Sequence, residues 1–200
     1  MVEIIEGSEE KGLKCSFPDS WHAIKYDESS WHRKQMKSQL KAMDILATEG
    51  NRHWWVEIKD CAGYEDDNRP RLSPNDCNEV IQTRQWVDDR DWSHQVKVSR
   101  KKPFIVDEIV EKFRQTLMAL SFAEREQNKD LADYWLICSR KPLSIVLLLT
   151  WDSPDFNRLA MRLQDKLKNM LSCYGVEAFV INGTAPVTMG LEMTVERIQP

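Results

Sequence analysis

Asp44 and the triplet Glu57-Ile58-Lys59 lie on either side of a Gly50-Asn51 pair. Gly-Asn between two apolar stretches signals a two-residue hairpin turn. With that turn Glu49 faces Arg52, and the same register carries Asp44 opposite Glu57, with Lys59 projecting from the same face. The other face pairs Met43 with Ile58, Ile45 with Val56 and Ala47 with Trp54, so one face reads as core and the other carries the charges. Like charges facing each other across strands are destabilising unless a cation sits between them. Hard divalent ions such as Mg²⁺ or Mn²⁺ take oxygen ligands, typically one or two carboxylates with phosphate and water. Held by Asp44 and Glu57, such an ion would polarise a phosphate and acidify a water. Lys59 is a compact positive charge able to position that water or stabilise developing negative charge. The bland reading of the same residues is a solvated strand face with a cross-strand ion pair.

The order Asp, hairpin turn, Glu-x-Lys resembles the PD-(D/E)xK nuclease superfamily, whose members share the restriction-endonuclease-like fold. The resemblance is one of pattern and element order over about residues 20 to 182. It implies Asp44 and Glu57 as metal ligands and Lys59 as the catalytic lysine of a Mg²⁺- or Mn²⁺-dependent nuclease acting on DNA, with RNA left open. Ala42-Met43 precede the aspartate where the family motif writes a proline. The family often adds a glutamate from a helix ahead of the first strand, a role for which Glu3, Glu6, Glu9, Glu10 and Glu28 compete. Some exonuclease branches carry Gln-x-x-x-Tyr on the helix after the lysine strand, and Gln82 to Trp86 is a loose analogue. The alternative to an enzyme is a non-catalytic nucleic-acid- or protein-binding module on the same fold. Intact Asp44, Glu57 and Lys59 favour the enzyme; the acidic net charge and the missing proline favour the module.

These residues need a scaffold, and periodicity supplies one. Trp21 to Tyr26 reads as a strand, Ser29 or Ser30 as the cap of a short helical turn through Met36, and about Leu40 to Ala47 and His53 to Asp60 as the hairpin strands. Together the strands form an antiparallel meander. The acidic first fifteen residues read as a short helix. Val106 to Glu124 repeats apolar residues at helical spacing, and Ser144 to Thr150 is a nearly continuous apolar run suited to a strand covered on both faces. Tyr134 to Ser139 and Glu177 to Ile181 read as strands, as does, more weakly, Thr188 to Ile198. Between these, Asp152 or Ser153 opens a helix that Gly175 ends. The fold class is α/β (α+β): a central mixed sheet with a three-stranded antiparallel meander, flanked by helices. The resemblance makes residues 1–200 a single nuclease-like domain.

Residues 61–103 interrupt this order with eight acids and eight lysines or arginines. Ser73-Pro74 marks a helix start there, running to about Asp89. As an insertion directly after Lys59, the segment would overhang the site, since long loops in compact domains are usually functional or disordered. Trp86 and Trp92 are expected to pack it onto the domain, with base stacking beside Arg84 and Arg90 as the functional alternative.

Composition narrows the classes further. The 200 residues are 42% hydrophobic and 30% charged, a globular balance, and the net charge of −4 does not advertise nucleic acid. Two basic clusters do: Arg33, Lys34, Lys37 and Lys41 in an acid-free stretch, and Arg100, Lys101 and Lys102. Five scattered cysteines with no CxxC pair and no signal peptide suggest reduced thiols in the cytoplasm and no structural zinc, with Cys138 a packing residue. The longest apolar run, Ile145 to Leu149, is far short of a membrane span. No Gly-rich phosphate loop or Gly-x-Ser-x-Gly elbow is present, and His53 reads as a surface turn residue rather than a proton carrier. A nuclease that cuts both strands of a duplex would act well as a symmetric homodimer.

Overall fold

The computed structural model describes residues 1–8, 11–36, 39–135, 142–183 and 190–198. Its strands are β1 (Val2–Gly7), β2 (Gly12–Phe17), β3 (His22–Lys25), β4 (Ile45–Glu49), β5 (Arg52–Asp60), β6 (Leu143–Thr150), β7 (Glu177–Asn182) and β8 (Thr194–Arg197). Its α-helices are α1 (Glu65–Asn68), α2 (Asn78–Asp88), α3 (Ile105–Arg125) and α4 (Phe156–Leu171). A five-stranded sheet runs in the order β3-β4-β5-β6-β7, and a three-stranded sheet in the order β1-β2-β8. β3, β4 and β5 form the antiparallel meander, and β6 and β7 continue it in parallel. The chain is therefore mixed α/β, with helices and a central mixed sheet as its pattern implies.

Alternation along β5 explains the layers. Trp55 points to the helix side, where its ring lies 5.5 Å from Phe113 of α3. Trp54 points to the other side, 5.9 Å from Phe179. The helix-side core gathers Leu46, Leu147 and Leu149 with Ile109, Phe113, Leu163 and Leu167. The opposite core gathers Ala47, Val56, Ile58 and Leu148 with Leu13, Cys15 and Phe17 of the small sheet. The central sheet is thus covered on both faces, and all eight residues of β6 are buried, as its unbroken apolar run requires. Gly50 takes φ +52° in the β4–β5 turn, a conformation that favours glycine.

Several boundaries and one element differ from expectation. Val2–Gly7 and Gly12–Phe17 pair as antiparallel strands in place of the expected helix. Leu13, Cys15 and Phe17 recur with period two and are buried against the central sheet, and β8 from the far end of the chain pairs with β2. β4 begins at Ile45, not near Leu40, because Met43 leaves the ladder and its N–H donates to Thr116 Oγ1 of α3 at 2.9 Å. Met43 consequently sits in the helix-side core and does not pair with Ile58. Ser29 Oγ does accept from the His32 N–H, capping the turn His32–Met36. α2 starts at Asn78, four residues after Pro74, because Ser73 Oγ closes a local turn on the Asn75 N–H. Tyr134 ends a 3₁₀ helix (Lys129–Tyr134), and residues 136–139 of the expected strand lie outside the described residues, Cys138 among them. Cys15, Cys61, Cys77 and Cys173 are free thiols. Among the described residues no helix is long and apolar enough to cross a membrane.

Leu163 of α4 is fully buried in the helix-side core. Leu163→Ala should lower the unfolding free energy by about 2–5 kcal/mol, seen as a lower urea midpoint with an unchanged denaturant slope.

Candidate active site

The register of the hairpin holds as far as Ile45↔Val56. Asp44 lies one step beyond it, and its Oδ2 accepts a 2.7 Å hydrogen bond from the Ile58 N–H. Its side chain thus reaches across to β5 and stays beside Glu57. Odd-numbered residues of β5 face the helix side, so Glu57 and Lys59 point toward α3. The charged face is not solvated. Asp44 is 5% exposed and Glu57 0%, because α3 lies over them.

The cation that two facing carboxylates require is supplied by α3. Lys112 Nζ lies 3.0 Å from Asp44 Oδ1 and 2.6 Å from Glu57 Oε1. Lys59 Nζ reaches the same Glu57 oxygen at 2.6 Å and Glu108 Oε1 at 2.9 Å. Arg71, buried in the 3₁₀ helix Arg69–Leu72 that follows α1, pairs with the other Glu108 oxygen. Asp44, Lys112, Glu57, Lys59, Glu108 and Arg71 therefore form one chain of alternating sign. Glu108 and Lys112 are one helical turn apart, which places them on one side of α3 next to its apolar stripe.

Burial sets the protonation states. Desolvation, reinforced by Asp44, pushes the Glu57 carboxyl up to about 7 against the pull of Lys59 and Lys112. Burial alone would lower Lys59 and Lys112. Glu57 and Glu108 together outweigh it for Lys59, and Glu57 and Asp44 together for Lys112, so both lysines are held above the ordinary range and stay ammonium ions. Burial works against ionisation of Glu108, but Lys59 and Arg71 hold it below the usual carboxylate range. A further acid belongs here. Asp27 follows Tyr26, whose N–H donates to the Asp44 carbonyl at 2.8 Å. Desolvation, then Asp44 and Glu6, push its carboxyl up to about 6.

Two buried oxygens, Glu57 Oε2 and Asp27 Oδ1, have no hydrogen-bond partner among the described residues. The unpartnered Glu57 oxygen belongs to one of the two carboxylates that already share a cation, and it fits the oxygen chemistry of a hard divalent ion. Asp44 and Glu57 would hold it. Among the described residues no group of three His, Cys, Asp or Glu side chains forms a ready metal cage; Mg²⁺ commonly takes only one or two carboxylates.

The other candidates disperse. Glu6 and Glu28 both bind Lys25, at 3.1 and 2.9 Å, and Glu3 binds Lys14 at 3.5 Å. Glu9 and Glu10 lie outside the described residues, as does Lys37. Arg33 pairs with Glu28 and Lys41 with Glu111, so acids from outside the acid-free stretch neutralise that basic cluster, leaving Lys34 exposed. Arg100 is a staple: it bonds Asp76 Oδ1 at 2.6 Å and the Ser73 and Pro74 carbonyls at 2.7 Å. Lys101 and Lys102 are exposed. His53 is fully buried at the hairpin end of β5, not on the surface, and its N–H donates to the Pro142 carbonyl. Trp86 and Trp92 do not pack onto the domain. They are 47% and 46% exposed and meet each other edge to face, with the Arg90 guanidinium 4.0 Å over the Trp86 ring. Gln82 lies on α2, whose one buried residue is Val87.

Glu108, Lys112 and Arg71 are the residues that strand-pattern reasoning misses. The one signal in the sequence is the i, i+4 acid–lysine pair within an otherwise apolar helical stripe. Comparison with known protein families, curated proteins and solved structures finds no match for this chain.

Because the folded-state pKa of Glu57 lies above its ordinary 4.5, the stability linked to its protonated form is complete below that value and lost as pH rises through about 7. Unfolding free energy in metal-free buffer should therefore fall over this window. Glu57→Gln should flatten the dependence, and denaturation curves across the window for both proteins check it. In the parent, the Glu57 carboxyl carbon should titrate near 7 by NMR, and Lys112→Met should move that midpoint higher by removing a cation.

Proposed function

We propose that the chain is a metal-dependent nuclease hydrolysing phosphodiester bonds of DNA, with the site built on Asp44, Glu57 and Lys59. The observation that carries the reading is the convergence of two buried carboxylates on a single ammonium, with Lys59 joined to one of them. It is supported by the order of elements: an antiparallel meander bearing the acids, then a covering helix, then strands continuing in parallel. That is the order that a restriction-endonuclease-like core would have.

Asp44 and Glu57 would bind Mg²⁺ or Mn²⁺. When bound there, a divalent ion supplies Lewis-acid polarisation of the phosphate and lowers the pKa of water. The protein's own groups divide the remaining work. Lys59 stays an ammonium, so it cannot take a proton; it orients the attacking water and stabilises the charge that grows on the phosphate oxygens. Glu57 is ionised when it ligates the ion, so it holds the ion and the Lys59 ammonium in place, and the attacking water gives its proton to solvent as one P–O bond forms and the other breaks. Glu108, anchored by Arg71, holds the Lys59 ammonium in place and is a positioning residue. A non-catalytic binding module is the second reading, favoured by the fact that the charge chain is complete within the protein.

The test is cleavage of single- and double-stranded DNA with added Mg²⁺ or Mn²⁺. The parent should cut only with metal, and Asp44→Ala and Lys59→Ala should each lose at least about 100-fold in rate. A parent that never cuts, or variants that cut as well as it does, would leave the binding module. Glu108→Gln should slow the reaction less than Lys59→Ala while leaving the metal requirement unchanged.

A further inference from the structure

The turn after β5 and the segment before α3 enclose a cavity of about 320 Å³ on the Lys59 side of the site. Lys59, Arg71 and Lys102 contribute cations to its wall, and Asp60 and Asp67 contribute acids. A second cavity of about 490 Å³ shares Arg71, Lys102 and Asp67 with the first, and is extended by Arg100 and Lys101. The two cavities therefore adjoin, one beside Lys59 and the other beside the exposed basic segment.

Glu57 and Glu108 balance Lys59 and Arg71, but the acids that line the cavities do not cancel the charge of Lys101 and Lys102. Both Asp60 oxygens are taken by Arg197, at 2.6 and 3.0 Å, and one of them also by Thr150. Asp67 is exposed to solvent. Lys101 and Lys102 form no salt bridge with a described residue, and the Arg100 staple fixes the segment that carries them. Arg71 is decisive. It is nine-tenths buried and lines both cavities, one terminal nitrogen is held by Glu108, and its Nε has no hydrogen-bond partner. A buried guanidinium N–H left unpartnered costs free energy unless a ligand takes it, and a planar guanidinium fork matches the oxygens of a phosphate.

We propose that this cavity is a phosphate subsite, in which Arg71 and Lys102 hold a phosphate of a nucleic-acid strand next to the one presented at Asp44 and Glu57, while Lys101 lines the adjoining cavity. The inference rests on the nuclease reading for its substrate. It assigns residues 61–103 a role: they form the wall that reads the backbone without reading sequence.

Binding of a short single-stranded DNA to the full chain, followed by fluorescence anisotropy in EDTA over a range of salt, tests the subsite. The parent should bind. Lys101→Ala/Lys102→Ala should weaken binding by about 5–10-fold at low salt and reduce the salt slope by about 1–2. Arg71→Lys keeps the charge beside Glu108 but not the fork, and should weaken binding as well, with thermal unfolding unchanged. Comparing 5′-phosphorylated with 5′-hydroxyl strands separates two sources of the phosphate. Tighter binding of the former assigns the subsite to a terminal phosphate, and equal binding assigns it to an internal one. A parent that does not bind, or unchanged affinity and slope in both variants, overturns the proposal. Because binding is read without metal, a parent that binds through these residues yet never cuts would sink the nuclease reading alone. A parent that cuts while the variants bind unchanged would sink the subsite alone.

Discussion

Burying Asp44 and Glu57 beneath α3 is the constraint on which the rest of the site depends. Two carboxylates removed from water repel each other, and each loses hydration worth several kcal/mol (~20 in the idealised limit). The fold answers with Lys112, which touches both, and then with Lys59, Glu108 and Arg71 in alternation. Buried pairs of this kind are weak evidence for stability, because the Coulomb gain roughly offsets the desolvation. Their effect is on position. Each ammonium has its place fixed by acids on two sides, so α3 can dock in one register on the sheet.

That docking is set by apolar packing. The stripe of Ile109, Phe113 and Leu120 seats α3 against Trp55 and Leu147, and Thr116 catches the Met43 backbone where the chain enters β4. Sheet parity does the rest. With Trp54 turned to the small sheet and Trp55 to the helices, Glu57 and Lys59 must face α3. A one-residue slip of β5 would turn the charges toward Leu13, Cys15 and Phe17 and away from Lys112 and Glu108 of α3. The same alternation that builds the core thus delivers the acids to the lysines.

The parts of this arrangement legible in the sequence are those fixed by local rules. Gly50-Asn51 and the alternating strands around it specify the hairpin register, and with it the proximity of Asp44, Glu57 and Lys59. The helical spacing of α3 and the unbroken run of β6 need only neighbours in sequence. What stayed hidden depends on distant partners. Lys112 and Glu108 lie beyond the whole 61–103 segment, and nothing in that spacing says which face of α3 meets β5. Asp27 joins the site through a backbone hydrogen bond between Tyr26 and Asp44 that no periodicity reveals. The N-terminal strand pair was masked by its acids, and β2 finds one of its two partners in β8, from the far end of the chain.

Charge balance links the site to its surroundings. Asp44, Glu57 and Glu108 against Lys59, Lys112 and Arg71 leave the buried chain formally neutral, so it is self-sufficient without a ligand. A divalent ion at Asp44 and Glu57 would bring two positive charges into a place that Lys112 already serves. It is accommodated most readily if Lys112 gives way or Glu57 ionises fully. A phosphodiester brings one negative charge and so offsets part of the excess, which favours metal and substrate entering together over either alone. The unpaired cations nearby, Lys101 and Lys102, are outside this closed balance and at the mouth of the adjoining cavities. Their charges are open to solvent, whereas those of Lys59 and Arg71 are held inside the buried chain by Glu57 and Glu108.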